Sequence, residues 1–125
     1  MVQIVYATLT GNTERFIKKI AVLRPDWKFV KIEPCLKLTD KFHLLTFTTG
    51  VGQVPPIVEA FLAENHDKIL SVTACGNMNW GDNFAKAGDV IAEQYNVPLL
   101  MKYELAGNQV AAEKLIKVIE EKYGC

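Results

Sequence analysis

The chain has 125 residues, half of them hydrophobic, a length that suits one domain over residues 1–125 with a single core. Fourteen basic residues balance fourteen acidic ones, so no net charge favours a nucleic acid or a membrane surface as partner. No apolar run approaches the ~20 residues of a membrane-spanning helix, and the apolar start is too short for a signal peptide, so we expect a soluble, cytoplasmic protein.

Apolar runs of strand length alternate with segments of helical periodicity along the chain. The second strand, marked by Trp27, Phe29 and Ile32, alternates with charged residues, as edge strands do. The predicted inward faces are Ile57, Val58, Phe61 and Leu62 in the second helix, and Ala111, Leu115, Val118 and Ile119 in the last. In chain order, we predict a strand at 2–7, a helix at 13–23, the edge strand, a strand at 42–48, a helix at 55–64, a strand at 69–75, a helix at 81–95, a strand at 97–103 and a helix at 109–123.

This alternation predicts a doubly wound α/β domain with a five-stranded parallel sheet and helices on both faces. Right-handed crossovers and an edge-like second strand favour the flavodoxin-like order 2-1-3-4-5. Ligands of such sheets bind beyond the carboxyl ends of the strands, at the switch point between the first and third strands. The rule selects three loops, at residues 8–13, 48–55 and 75–82. They hold five of the eight glycines and a single charged residue, Asp82.

Cysteine and histidine are too few and too scattered for a metal site or a disulfide framework. Cys35, Cys75 and Cys125 lie far apart in the sequence, which also argues against a redox dithiol pair. His43 lies in an apolar run and His66 in a polar stretch, and we interpret both as structural or surface residues. We therefore expect no bound metal.

The first loop has the composition of an anion site. Gly11 permits a tight turn, and the hydroxyls of Thr8, Thr10 and Thr13, with the amides of the helix start, can surround a phosphate. The loop contains no Lys or Arg, so neutral groups would hold that phosphate. The alternative interpretation is a plain helix start that Thr10 or Asn12 caps.

Other phosphate-binding signatures do not match. No Walker string is present, and Pro55 stands where a dinucleotide fingerprint needs its third glycine. A receiver domain needs acidic residues at the ends of the first and third strands, but residues 7–8 and 48–49 are Ala-Thr and Thr-Thr. A small tyrosine phosphatase needs an arginine six residues after its cysteine, and Gly81 stands there after Cys75.

The second and third loops suit a flat ring. Around Gly50 and Gly52 a ring could approach the backbone, and the Gly50–Val51 peptide could present a carbonyl or an amide to it. The alternative is that residues 48–55 form only a glycine-rich turn before a helix. Trp80 lies in a polar loop, where it either stacks on a flavin or packs locally. Cys75 has no activating neighbour, so we interpret it as a small buried residue.

Four segments together resemble the NrdI family, the flavodoxin-like FMN proteins of manganese-dependent class Ib ribonucleotide reductase. They are residues 10–16 (TGNTERF), 48–55 (TTGVGQVP), 76–84 (GNMNWGDNF) and 97–107, which begins Val-Pro and ends KYELAG. The resemblance covers essentially the whole chain, and the GN-x-N-W-G string is its most particular part. The chain departs from the family at Met78, a position that is often basic, and at residues 107–110.

The resemblance implies that FMN phosphate lies on the first loop, and that the ring lies between the second loop and residues 77–80. It also implies that the Gly50–Val51 peptide changes orientation with redox state. No side chain is expected to be catalytic, because the flavin carries the chemistry. The expected cofactor-binding residues are Thr8, Leu9, Thr10, Gly11, Asn12, Thr13, Thr48, Thr49, Gly50, Val51, Gly52, Cys75, Gly76, Asn77, Asn79, Trp80, Gly81 and Asp82.

The function that the resemblance implies is activation of a partner enzyme. Reduced flavin would react with O2 and supply superoxide for assembly of the dimanganese–tyrosyl radical cofactor in the reductase small subunit. The expected partners are that small subunit, O2, and a flavin-reducing reductase or flavodoxin reductase. The alternatives are an electron-transfer flavodoxin and a binding module that has lost the flavin.

Overall fold

The computed structural model describes residues 2–8, 11–49, 52–77, 81 and 84–123. A five-stranded sheet forms its centre, and every strand pair in the sheet is parallel. The strand order is β2-β1-β3-β4-β5, which confirms the predicted topology. The strands are β1 (Gln3–Tyr6), β2 (Lys28–Lys31), β3 (Phe42–Phe47), β4 (Ile69–Gly76) and β5 (Leu99–Glu104). The helices are α1 (Asn12–Leu23), α2 (Pro56–Asn65), α3 (Lys86–Tyr95) and α4 (Gln109–Tyr123), and a short 3-10 helix at His66–Lys68 follows α2.

The helices form a layer on each face of the sheet. Successive strand residues point to opposite faces, so Ile4 packs with α1 and α4 while Val5 packs with α2 and α3. Leu45 and Leu44 divide in the same way on β3, and all four of these side chains are fully buried. Burial on both faces explains why β1 and β3 are almost continuously apolar.

Two inward faces differ from the predicted ones. In α4 the buried positions are Ala112, Leu115, Ile116 and Ile119, so Leu115 and Ile119 were predicted correctly, while Ala111 and Val118 are only half-buried. In α2 the buried positions are Val58, Phe61, Leu62 and Asn65, and Ile57 is 39% exposed. Both observed sets have the spacing i, i+3, i+4, i+7 of one helix face.

Asn65 holds the segment between β2 and β3 against α2. Its amide nitrogen donates to the carbonyls of Leu36 and Phe61 at 2.9 Å, and its carbonyl accepts from the amide of Leu38 at 2.8 Å. Three hydrogen bonds satisfy a side chain that is only 1% exposed.

Helix α3 begins at Lys86, whereas the sequence predicted a start at residue 81. Its N-cap residue is Ala85, in the left-handed conformation with φ of 49°. Gly76 at the end of β4 allows this residue to approach, since a Cβ at position 76 would lie 2.7 Å from the amide nitrogen of Ala85. The chain therefore passes over the end of β4 before it turns into the helix.

Among the described residues, no helix is long and apolar enough to cross a bilayer.

Candidate functional site

The carboxyl ends of β1, β3 and β4 lie side by side at one edge of the sheet, because these strands are consecutive neighbours. The first, second and third loops leave the sheet at this edge. The pairing of β1 with β3 continues into the first loop, where the amide of Ala7 donates to the carbonyl of Leu45 at 3.0 Å. The three predicted segments therefore start from one small region.

The first loop closes on itself through a side chain. The amide of Gly11 donates to the hydroxyl oxygen of Thr8 at 3.0 Å. Gly11 is the N-cap of α1 and has φ of 88°, a conformation that costs other residues roughly 1 kcal/mol or more. The alternative in which Asn12 caps the helix is therefore wrong, and Thr10 lies outside the described residues. The first-turn amides of Asn12 and Thr13 point away from the body of the helix, as at any helix start.

Arg15 brings a positive charge onto this loop. Its Nη2 donates to the side-chain oxygen of Asn12, and its Nη1 lies 3.2 Å from the point where a Cβ on Gly11 would be. The composition of residues 8–13 alone does not predict this cation, because Arg15 follows the loop. The spacing held the signal, since residues i+3 and i+4 on a helix share a face.

Thr13 directs its hydroxyl into the protein. The side chain is 1% exposed, and its Oγ1 lies 3.6 Å from the Sγ of Cys75 at the end of β4. Burial raises the pKa of the Cys75 thiol, so this group is protonated at neutral pH. Cys75 is thus the small buried residue that the sequence predicted.

Tyr103 on β5 completes this buried cluster. Burial, followed by the neighbouring Cys75, raises the pKa of its phenol well above the ordinary value. Its ring stacks on Phe16 at a centroid distance of 4.0 Å. Within the described part of the chain, its hydroxyl has no hydrogen-bond partner. Thr13, Cys75 and Tyr103 form a floor beneath the first and third loops.

The second loop is a turn whose two ends are paired. The amide of Thr49 donates to the carbonyl of Gln53 at 2.9 Å, and the amide of Gln53 donates to the carbonyl of Thr49 at 2.8 Å. Gly52 has φ of 79°, which favours glycine. The hydroxyl of Thr48 accepts a hydrogen bond from the amide of Ala87 at 3.3 Å and so ties this loop to α3.

The third loop is held at its start by a hydrogen bond from the residue after β5 and at its end by a local turn. The carbonyl of Gly76 accepts from the amide of Leu105 at 3.0 Å, and the carbonyl of Gly81 accepts from the amide of Phe84 at 2.9 Å. Lys102 on β5 donates to the carbonyl of Phe84 at 3.1 Å and to the carboxylate of Asp89 at 2.5 Å. Sequence reasoning did not identify this role of Lys102, because it depends on the pairing of β5 with β4.

The described part of the predicted site consists of backbone groups, hydroxyls, two amide side chains and the Cys75 thiol. Those residues are Thr8, Gly11, Asn12, Thr13, Thr48, Thr49, Gly52, Cys75, Gly76, Asn77 and Gly81. The predicted contacts of Leu9, Thr10, Gly50, Val51, Asn79, Trp80 and Asp82 lie outside the described residues. Among the residues that are described, no cluster of His, Cys, Asp and Glu could hold a metal ion.

This donor set fits a phosphate ester with an attached ring. The helix start, the Thr8 hydroxyl and the Arg15 guanidinium are donors that suit a phosphate at the first loop. At the third loop, the space where a Cβ on Gly81 would lie is open, which would let a ring approach the backbone there.

Comparison with models of protein families identifies the family to which this chain belongs. The model of the NrdI flavodoxin-like family matches residues 4–117. The chain belongs to the NrdI family. The match covers most of the chain and confirms the resemblance seen in its motifs. NrdI and other flavodoxin-like proteins bind FMN, so FMN is the cofactor that the family membership supports.

Solved structures of flavodoxins share the fold of this NrdI family member. A short-chain flavodoxin associated with a non-canonical PDU bacterial microcompartment matches with a TM-score of 0.71 and 19% identity, covering 99% of this chain and 98% of that one. Oxidised flavodoxin 2 from Bacillus cereus matches with a TM-score of 0.69 and 22% identity, covering 97% and 98%. At these identities the likeness establishes the fold alone.

Proposed function

We propose that this chain activates the dimanganese small subunit of a class Ib ribonucleotide reductase, with FMN bound at the three loops. When reduced, the bound flavin supplies an electron to O2, and the superoxide formed serves assembly of the tyrosyl radical cofactor. The observation that carries the proposal is the NrdI family match over residues 4–117. A cytoplasmic location and a flavin-reducing reductase as electron donor complete the proposal.

The first loop holds the phosphate in this proposal. Thr8 keeps Gly11 in its turn, and the amides of Asn12 and Thr13 donate to the phosphate oxygens. Thr13 contributes through its backbone, since its hydroxyl faces Cys75. Leu9 and Thr10 supply the remaining contacts of the loop.

The second loop presents the peptide that responds to redox state. Thr49 and Gln53 pair across the turn and leave the Gly50–Val51 peptide between two fixed ends. An amide or carbonyl turned toward flavin N5 would favour one redox form over the other. Thr48 and Gly52 position this turn.

The third loop orients the other edge of the ring. Gly76, Asn77 and Asn79 present donors to the pyrimidine edge, and Trp80 packs against the ring face. Gly81 and Asp82 complete the loop, and Cys75 supports it from below. Lys102 fixes its far end through the Phe84 carbonyl.

An electron-transfer flavodoxin is the second candidate, because the solved structures that share the fold include proteins named flavodoxins. The formal net charge of zero favours activation over electron carriage, since electron-carrying flavodoxins are typically strongly acidic. Partner choice distinguishes the two functions.

Flavin binding is tested first. Purified protein is titrated with FMN, and bound flavin is measured by its visible absorption and by quenching of its fluorescence. Thr8→Val removes the acceptor of the Gly11 amide and should weaken FMN binding, whereas Thr39→Val, at an exposed position away from the loops, should not. Wild-type protein that binds no FMN would contradict the proposal.

Activation is tested second. The reduced flavoprotein and a manganese-loaded class Ib small subunit are mixed with O2, and tyrosyl radical is measured by electron paramagnetic resonance. We expect tyrosyl radical to form, and we expect its yield to be lower when a superoxide-removing enzyme is added. A flavoprotein that passes electrons to other acceptors but yields no radical would instead support the electron-transfer function.

A further inference from the structure

Arg15 extends from the first turn of α1 back over the first loop. Its Nη2 donates to the side-chain oxygen of Asn12, three residues earlier. Its Nη1 lies 3.2 Å from the point where a Gly11 side chain would begin. A glycine at position 11 therefore provides both the left-handed turn and the space beside the guanidinium. The cation lies where the loop meets the helix start.

The charges around Arg15 leave it available to an anion. Glu14 is the acidic residue of this first turn, and its carboxylate pairs with Lys18 at 4.0 Å. The negative charge of Glu14 also raises the pKa of Tyr6, after the larger effect of burial, so this carboxylate lies within electrostatic range of the end of β1. Among the described residues, Arg15 has no carboxylate within ion-pair distance.

We propose that Arg15 is the cation of the flavin phosphate site and that it sets the preference for FMN over riboflavin. The inference rests on the proposed function, because it takes FMN as the ligand of the first loop. Asn12 holds the planar guanidinium beside the loop, where its remaining N–H groups can donate to phosphate oxygens. Hydrogen bonds in which the donor or the acceptor is charged are about twice as strong as neutral ones.

This assignment changes how the site recognises its ligand. A site built only from amides and hydroxyls would bind FMN with little dependence on ionic strength. A guanidinium adds an attraction that salt screens and that riboflavin, which has no phosphate, cannot use. Arg15 therefore acts on the phosphate and leaves the binding of the ring unchanged.

The test compares FMN with riboflavin on four proteins: wild type, Arg15→Gln, Arg15→Lys and Lys18→Gln. Dissociation constants are measured by quenching of flavin fluorescence at low and high salt, and folding is checked by circular dichroism. Lys18→Gln removes the same charge from the same helix at a side chain that is 74% exposed and bonded to Glu14, which makes it the matched control.

We expect Arg15→Gln to weaken FMN binding about tenfold at low salt while riboflavin affinity stays within about twofold. The salt dependence of FMN binding should flatten in this variant. Arg15→Lys should recover part of the loss, since it restores charge without the planar fork. Lys18→Gln should bind both flavins like wild type.

Two results would overturn the assignment. An Arg15→Gln protein that keeps the wild-type ratio of FMN to riboflavin affinity would show that Arg15 does not read the phosphate. An equal loss for both flavins in a folded variant would show that it only supports the loop. Either result would leave FMN binding by the wild type intact, whereas a wild type that binds no FMN would overturn the proposed function itself.

Discussion

The hydroxyl of Thr13 lies 3.6 Å from the thiol of Cys75, inside the protein. Thr13 belongs to the first turn of α1 and Cys75 is the second-last residue of β4, so this contact joins the first loop to the third. Because both side chains are buried, the two loops share a floor that solvent does not reach.

Burial of Cys75 predicts a marked difference in thiol reactivity. Its raised pKa and 3% exposure should protect it from iodoacetamide at mildly alkaline pH, whereas exposed Cys35 should react quickly. Peptide mapping by mass spectrometry after timed alkylation measures both rates. In denaturant the two rates should become similar, and equal rates in the native protein would show that Cys75 is accessible.

His43 predicts a loss of stability in mild acid. The ring is 2% exposed, its Nδ1 lies 2.7 Å from the Ser71 hydroxyl, and burial lowers its pKa from 6.5 to about 4. Between these values the unfolded chain binds a proton that the folded protein does not. The contribution of neutral His43 to the free energy of unfolding should therefore be fully present above pH 6.5. It should fall by up to about 1.4 kcal/mol per pH unit toward pH 4.

Urea unfolding at pH 4.5, 5.5 and 7 measures this effect. His43→Gln should be less stable at pH 7 but should lose less stability on acidification. His66→Gln, at an exposed histidine, should keep the wild-type pH dependence. An identical dependence in wild type and His43→Gln would rule out His43 as its source.

We predict that the substitution Gly88→Ala destabilises the protein by crowding α3 against the sheet. A Cβ at this position would lie 2.8 Å from the Cβ of Ala74 and 2.7 Å from Cδ1 of Leu99. Alanine normally favours a helix over glycine by about 1 kcal/mol. Crowding costs about 1–3 kcal/mol, so we expect a net loss of up to about 2 kcal/mol. Thermal unfolding measures it, with Glu93→Ala on the exposed side of α3 as control. A stabilised Gly88→Ala would show that helix and sheet separate easily.

The ion pair between Arg24 and Glu120 predicts a modest coupling between α1 and α4. Nε and Nη2 of Arg24 donate to the two carboxylate oxygens at 3.0 Å each. Because about a third of each side chain is exposed, solvent screens the pair, and we expect a coupling of about 0.5–1 kcal/mol. A double-mutant cycle with Arg24→Gln and Glu120→Gln measures it, and strong salt should reduce it. A coupling of zero would make the contact incidental.

The strand order could be predicted from the sequence because the pattern is redundant. Every strand run is followed by a helical segment, and few parallel topologies satisfy that alternation. The predicted start of α3 at residue 81 was wrong, because Gly81 and Asp82 form a typical helix-start sequence although the helix begins at Lys86. The true N-cap, Ala85, depends on contact with Gly76 across the end of β4, and such a contact has no local signature.

The candidate site was predictable as three loops but not in its charges and side-chain directions. Loop composition and the switch-point rule selected the segments. The inward hydroxyl of Thr13 depends on the position of Cys75, which is 62 residues away in the chain. The guanidinium of Arg15 reaches the loop by folding back one helical turn, a rotamer choice that the sequence alone does not fix.

The hydrogen bonds of Asn65 should protect the connection from β2 to β3 against proteolysis. The connection from β2 to β3 contains no regular element, and its residues 36 and 38 are bonded to that one amide. Asn65→Leu would keep a similar volume yet remove the hydrogen bonds to residues 36 and 38, so a protease should cut the middle of this connection first. Gln3 and the β1 backbone hold the two ends of this irregular connection, so the durability of its middle depends on one carboxamide on the neighbouring helix.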